Sequence, residues 1–342
     1  MQWKREEVGM SKPSHIWTDI DYDKPGKQVG WLHLPHSVTR SAYGTLMLPI
    51  AVIANGRGPT AFFMAGNHGD EYEGQIALAK LIRSLEPSEI QGRVIILPAA
   101  NLPAALDSAR VSPIDQGNLN RSFPGDPDGG PTSQIAHYIE SVLFPMATLF
   151  HDFHSGGTSL DYMPFASIHE GEDAAVNARG LAALKAFGAP LSVIWKQSRD
   201  PRFSPVAAMR RGVAALGGEF GGAGRVSRPC VELVSRGARR LLAHLGITAP
   251  SSDPAPQTRL VAVPGRDHFV YAPEPGLFEP AVELGEVVER GQLCGEVHFI
   301  DNPARSAAPC YFRESGFVIC KRHLGRVERG DCVAHLAVDS GG

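Results

Sequence analysis

The sequence predicts an α/β protein, a mixed sheet flanked by helices, followed by a small all-β domain. Three observations predict it. Strand-like and helix-like apolar segments alternate through the first 246 residues, a Pro/Ser/Thr-dense stretch interrupts them, and the remainder repeats a glycine-punctuated pattern of strand-length runs. At 342 residues the chain has room for a large core and a second domain. The expected division is a large domain over residues 1–246 with an N-terminal β segment, a linker over 247–259 and a β domain over 260–342.

Residues 29–53 alternate short apolar runs with turn residues. "PIAVIANGRGPTAFFMAG" then reads as strand, Asn55-Gly56 turn and core strand, an antiparallel start. Leu78, Leu81, Ile82 and Leu85 recur at helical spacing before the apolar strand in "GRVIILPAAN", so a βαβ unit is expected. Residues 108–131, rich in Pro, Gly, Asp and Asn without periodicity, read as a long ordered loop, a frequent carrier of function. A helix over 133–143 and a strand in "ATLFHDFHSGG" follow. Beyond the linker, "GLFEPAVELGEVVERGQLCGEV" from Gly276 is echoed by "GFVICKRHLGRVERGDCVAHL" from Gly316, which predicts a β domain of two similar halves. It resembles the barrel-sandwich hybrid of biotinyl and lipoyl domains. The turn between the halves, "DNPARSAAP", has no lysine to modify, so a structural or gating role is expected rather than a carrier arm.

Lys and Arg total 33 against 36 Asp and Glu, and no basic run offers a phosphate-tracking face, so nucleic acid is not an expected partner. The N-terminal "MQWKREEVGMSKPSH" has no apolar signal core, and no stretch is long and apolar enough for a membrane span. A cytoplasmic protein without a membrane partner is expected. Cys230, Cys294, Cys310, Cys320 and Cys332 are odd in number and form no C-x-x-C pair, so free, buried thiols are expected rather than disulfides or a thiolate zinc site.

"MAGNHGDEYEGQ", residues 64–75, places His68 three residues before Glu71 at a strand-to-helix turn. Such a pair shares one face of a first helical turn, and α/β sites form at the carboxyl ends of strands. Zinc hydrolases need three protein ligands and an open position. Alone, H-x-x-E leaves a ligand pair and a polar helix entrance both open. "FHDFHSGG" offers a third ligand in His151 or His154. In a strand Asp152 and His154 share a face and His151 points away. Asp152 could then accept the other ring N–H of a metal-bound histidine, while His151 reads as a hydrogen-bonded, half-buried structural residue. Glu73 reads as a first-turn carboxylate favoured by the helix dipole.

Glu219, amid glycines in "ALGGEFGGAG", is either a base beside a closely approached substrate or an exposed glutamate on a flexible turn. The glycines do not fit a phosphate loop, and the carboxylate would repel phosphate. "NLNRSF" offers Asn120 and Arg121 on the long loop, with Arg110 eleven residues earlier. Arginine's planar fork suits a carboxylate, although a surface ion-pairing role for Arg110 is also open.

Together "GNHGDEYEG", "GNLNRSFPG", "DFHSGG" and "GGEFGG" stand in the order and approximate spacing of the succinylglutamate desuccinylase and aspartoacylase family, relatives of the zinc carboxypeptidases. The resemblance covers nearly the whole chain and leans towards the branch that deacetylates N-acetyl-2,4-diaminobutyrate in ectoine breakdown. It implies a zinc carboxypeptidase-like sheet and a zinc ion held by His68, Glu71 and His154. It also implies Glu219 as catalytic acid and base, Asn120 and Arg121 on the substrate carboxylate, and Arg110 beside the scissile carbonyl. The implied reaction hydrolyses the amide of a small N-acyl amino acid, with N-acetyl-2,4-diaminobutyrate as the expected substrate. An acidic N-acyl amino acid, a peptide substrate, and a non-enzymatic binding protein with a degenerate metal site stay open. So do self-association and the side-chain pocket, to which the loop "WKQSRDPRFSP" could contribute.

Overall fold

The computed structural model describes residues 12–196, 200–250 and 252–340. Gln197, Ser198 and Arg199 of the loop just quoted, and most of the N-terminal segment read for a signal, lie outside the described residues.

Three parallel neighbours form the centre of a 15-stranded mixed sheet: Thr60–Ala65, Leu149–Phe153 and Ala214–Glu219. Every residue in them is buried except Glu219 at the tip. Burial on both faces is why they read as continuous apolar runs rather than alternating ones. Gly92–Leu97 extends the parallel set on one side, and the hairpin of Gly26–Pro35 and Thr45–Asn55 closes that edge antiparallel. On the other side Phe165–His169 pairs antiparallel with Ala214–Glu219 and parallel with Leu191–Trp195.

The two faces carry separate cores, and Thr60–Ala65 shows the division: Ala61, Phe63 and Ala65 enter one, Phe62 and Met64 the other. Helix Tyr72–Ser84 joins Thr60–Ala65 to Gly92–Leu97, the expected βαβ unit, and buries Ala77, Leu78 and Leu81 at the spacing a 3.6-residue turn requires. Ala174–Phe187 and Arg228–His244 cover the same face; Pro131–Tyr138 and Ser204–Arg210 cover the opposite one. Each fully buried phenylalanine, such as Phe62 or Phe63, contributes roughly 1.5–3 kcal/mol of apolar transfer. The helix expected over 133–143 keeps α geometry only from Pro131 to Tyr138. Ile139–Leu143 widens to a π turn ahead of Pro145, which has no N–H with which to continue the ladder.

Arg259–Ala262 pairs with both Leu191–Trp195 and Cys332–Asp339, so the sheet runs on into the C-terminal antiparallel β domain. There the two similar halves exchange strands. Gly276–Pro280 of the first pairs with Arg326–Val327 of the second, and Gly316–Arg322 of the second pairs with Val287–Val288 of the first. Apolar residues of both halves, Phe278 and Val297 with Val318 and Val333, therefore share one core. All five cysteines are free; four are buried and Cys332 is partly so. No helix among the described residues is long and apolar enough to cross a membrane.

Candidate metal centre and substrate pocket

The carboxyl ends of the three central strands bring the candidate residues together. Gly66, at φ 65°, turns the chain out of Thr60–Ala65 in a conformation that a side chain disfavours. His68 and Glu71 follow, Glu71 at the N-cap of Tyr72–Ser84. His154 leaves Leu149–Phe153 and is fastened to the next strand through its backbone: its N–H donates to Gly218 O at 3.1 Å, and Phe220 N–H donates to its carbonyl at 2.9 Å. Glu219 thereby ends beside it.

His68, Glu71 and His154 are buried, with a ligand atom from each within 4.8 Å of the others. Glu71 spans the two rings, Oε1 at 2.6 Å from His68 Nδ1 and Oε2 at 2.7 Å from His154 Nδ1. Behind the rings, His68 Nε2 meets Asn118 Oδ1 at 3.1 Å and His154 Nε2 meets Asp152 Oδ2 at 2.9 Å. Those oxygens accept, so each ring carries a proton on Nε2 and turns its Nδ1 towards the Glu71 carboxylate. Three electron-rich groups then face one another, an arrangement that a proton or a cation must stabilise. Burial alone would raise the Glu71 carboxyl, yet the two rings pull it below the usual range. Burial also opposes charge on His154, yet Asp152 and Glu71 raise it well above its ordinary value. Burial lowers His68. The pull that keeps a proton on His154 would equally hold a dication, and two imidazoles with one carboxylate are a donor set that suits zinc.

Burial, and next the Glu71 carboxylate, push the Glu219 carboxyl up to about 8. Its Oε2 has no hydrogen-bond partner among the described residues. Arg110 Nη1 stands 3.5 Å from Glu71 Oε1 with about half of the side chain exposed. Asn120 Oδ1 accepts the Ser204 N–H at 2.9 Å, leaving its amide nitrogen 3.4 Å from His154 Nε2. The Arg121 guanidinium carbon lies over the Phe203 ring, 4.2 Å from its centre, a cation–π contact that helps hold the fork in place. Arg110, Asn120, Arg121 and Glu219 line one cavity of about 1050 Å³ with the His-Glu-His cluster. Val263, Arg266 and Phe269 bring the C-terminal β domain into its wall.

Two readings of the sequence change. His151 is fully buried, not half-buried; its ring stacks on Phe153 at 3.9 Å and meets Phe187 edge-on. Glu73 does stand in the first turn of its helix, but it is wholly buried. Its Oε1 accepts the Ser227 N–H at 2.9 Å, tying Tyr72–Ser84 to the N-cap of Arg228–His244.

The structure adds Asn67, Asn118 and Ser204. Asn67 Nδ2 donates to Asp152 Oδ2 at 2.7 Å, and the Ser204 hydroxyl donates to the same oxygen. Asn67 and Asn118 stand inside two of the quoted motifs, where their polarity was a signal. Ser204 lies far along the chain, and no spacing points to it.

The model of the succinylglutamate desuccinylase/aspartoacylase catalytic domain matches residues 57–245. The N-alpha-acetyl-L-2,4-diaminobutyric acid deacetylase of Halomonas elongata is 38% identical over 335 residues, 97% of each chain. Among solved structures, the product-bound ectoine utilization protein EutE (DoeB) of Ruegeria pomeroyi superposes with a TM-score of 0.92 at 41% identity, covering 96% of this chain and 100% of that one. A succinylglutamate desuccinylase/aspartoacylase from Rhodobacter sphaeroides gives 0.90 at 41% identity over the same shares.

Proposed function

Because the chain belongs to the succinylglutamate desuccinylase/aspartoacylase family, we propose that it is a zinc-dependent deacylase whose substrate is N-acetyl-2,4-diaminobutyrate. The observation that carries the metal reading is the convergence of His68, Glu71 and His154 within 4.8 Å, with Asn118 and Asp152 behind the rings. The substrate is supported by 38% identity over 97% of the chain to a deacetylase of that compound.

A zinc ion held by His68, Glu71 and His154 would supply an acidified water and a polarised acyl carbonyl. The chain's own groups supply the rest. Arg121, over the Phe203 ring, and Asn120, held by the Ser204 N–H, bind the α-carboxylate. Glu219 takes a proton from the attacking water and returns it to the departing α-amine. Its raised proton affinity suits both halves of that task, since a carboxylate of ordinary acidity would be a poor acid towards the amine. Arg110, half exposed beside Glu71, donates to the oxyanion that develops on the acyl oxygen. Residues 1–246 carry this chemistry as one domain, and the β domain over 260–342 walls the pocket.

An acidic N-acyl amino acid or a peptide would use the same groups, so competition decides the substrate. Metal-replete protein is expected to hydrolyse N-acetyl-2,4-diaminobutyrate faster than N-acetylaspartate, N-succinylglutamate or a dipeptide. A clear preference for either acid overturns the diaminobutyrate assignment, and hydrolysis of none overturns the enzymatic reading.

A further inference from the structure

Two glycines precede Glu219, and packing requires only one of them. A Cβ on Gly218 would stand 2.6 Å from Phe165 O and 2.8 Å from the Phe220 ring. A Cβ on Gly217 would meet nothing closer than Ser167 Oγ at 3.4 Å and Pro205 Cγ at 3.7 Å, and its φ is not one that favours glycine. The strand therefore tolerates alanine at 217, and its bareness calls for another reason. Gly217 is buried and lines the cavity.

Residues two apart share a face, so the space left by Gly217 opens beneath the Glu219 carboxylate. Across the register Gly217 faces Ser167 and Glu219 faces Phe165. Phe165, Ser167 and His169 all line the cavity from one face of their strand. The remaining wall follows from Asn120: its Oδ1 takes the Ser204 N–H, and Pro205, the next residue, stands against Gly217. A substrate with its carboxylate on Asn120 and Arg121 and its amine towards Glu219 has its α-carbon between them. From there its side chain can reach the space over Gly217, which is open and lines the same cavity.

We infer that Gly217 and Ser167 floor the subsite for the substrate's amino-acid side chain, Gly217 setting the length accepted and the Ser167 hydroxyl meeting a polar end. This rests on the deacylase reading and extends it to a class: N-acyl amino acids whose side chain is a few atoms long and ends in a polar group.

The test compares wild type with Gly217→Ala and Gly217→Val on N-acetylglycine, N-acetylalanine and N-acetyl-2,4-diaminobutyrate. The ratio of kcat/KM for the diaminobutyrate compound over the glycine compound is expected to fall about tenfold in Gly217→Ala, chiefly through KM, and further in Gly217→Val. Ser167→Ala is expected to lower the diaminobutyrate-to-alanine ratio. Unchanged ratios, whether the rates hold or fall together, overturn the subsite and leave the deacylase reading standing. If wild type hydrolyses none of the three, the deacylase reading fails and binding of free 2,4-diaminobutyrate decides the subsite. Weaker binding to Gly217→Ala than to wild type then supports it; equal or absent binding overturns it.

Discussion

Asp152 Oδ2 lies 2.9 Å from His154 Nε2, and the same oxygen accepts from Asn67 and Ser204. One carboxylate oxygen thus fixes the far side of a ring whose near nitrogen faces Glu71. In Asp152→Ala the ring loses that acceptor and its tautomer is no longer fixed. Zinc affinity, measured by chelator competition, is expected to fall about 10- to 100-fold. Unchanged affinity would mean that Asp152 only packs.

Glu219→Gln keeps the shape of the side chain and removes the proposed base. The variant is expected to retain zinc by metal analysis while kcat falls about 10²- to 10⁴-fold. The proposed base would work as the carboxylate, so the rate is expected to be lost as pH falls. Burial and Glu71 raise its proton affinity and a bound dication lowers it, so the acid limb of kcat/KM is expected above the ordinary glutamate value of about 4.3 and below 8. Full zinc with most activity retained in Glu219→Gln would show that another group is the base.

In the proposed role Arg121 holds the α-carboxylate and not the acyl carbonyl, so its loss is expected to weaken binding more than chemistry. Arg121→Lys keeps the charge but loses the fork and its contact with the Phe203 ring. KM for N-acetyl-2,4-diaminobutyrate is expected to rise about 10- to 100-fold, as for one charge-assisted hydrogen bond, with kcat little changed. A fall in kcat at constant KM would place Arg121 at the reacting carbonyl instead.

Burial lowers His151 to about 3, so it is neutral in the fold. In the unfolded chain it takes up a proton below about 6.5. The unfolded state then binds more protons between those values, and stability is lost as pH falls through that window. His151→Phe, which keeps a ring against Phe153, is expected to remove up to about 2 kcal/mol of the difference between pH 7.5 and pH 5. Urea unfolding at the two pH values measures it, and an unchanged difference would show that His151 is not the group responsible.

What the sequence revealed was mostly local. His68 and Glu71 are three residues apart, so a turn suffices to pair them, and His154 with Asp152 follows from strand alternation. Alternation says which way His151 points but not that Phe153 and Phe187 enclose it. The Ser204 contact to Asp152 and the Arg121 contact to Phe203 join distant segments, and no spacing encodes them. The repeat in the C-terminal domain was plain, yet two similar halves pair equally well on paper with themselves or with each other. Only the register shows that they exchange strands. Gly217 and Gly218 look alike as letters, and only their surroundings separate a packing requirement from an open space.

The most direct test of the account is a zinc titration of metal-stripped protein, followed by hydrolysis of N-acetyl-2,4-diaminobutyrate. Activity is predicted to return in proportion to zinc and to saturate at one ion per chain, with His68→Ala inactive at the same zinc. Full turnover by the stripped protein, or by His68→Ala, would contradict a catalytic metal held by His68, Glu71 and His154.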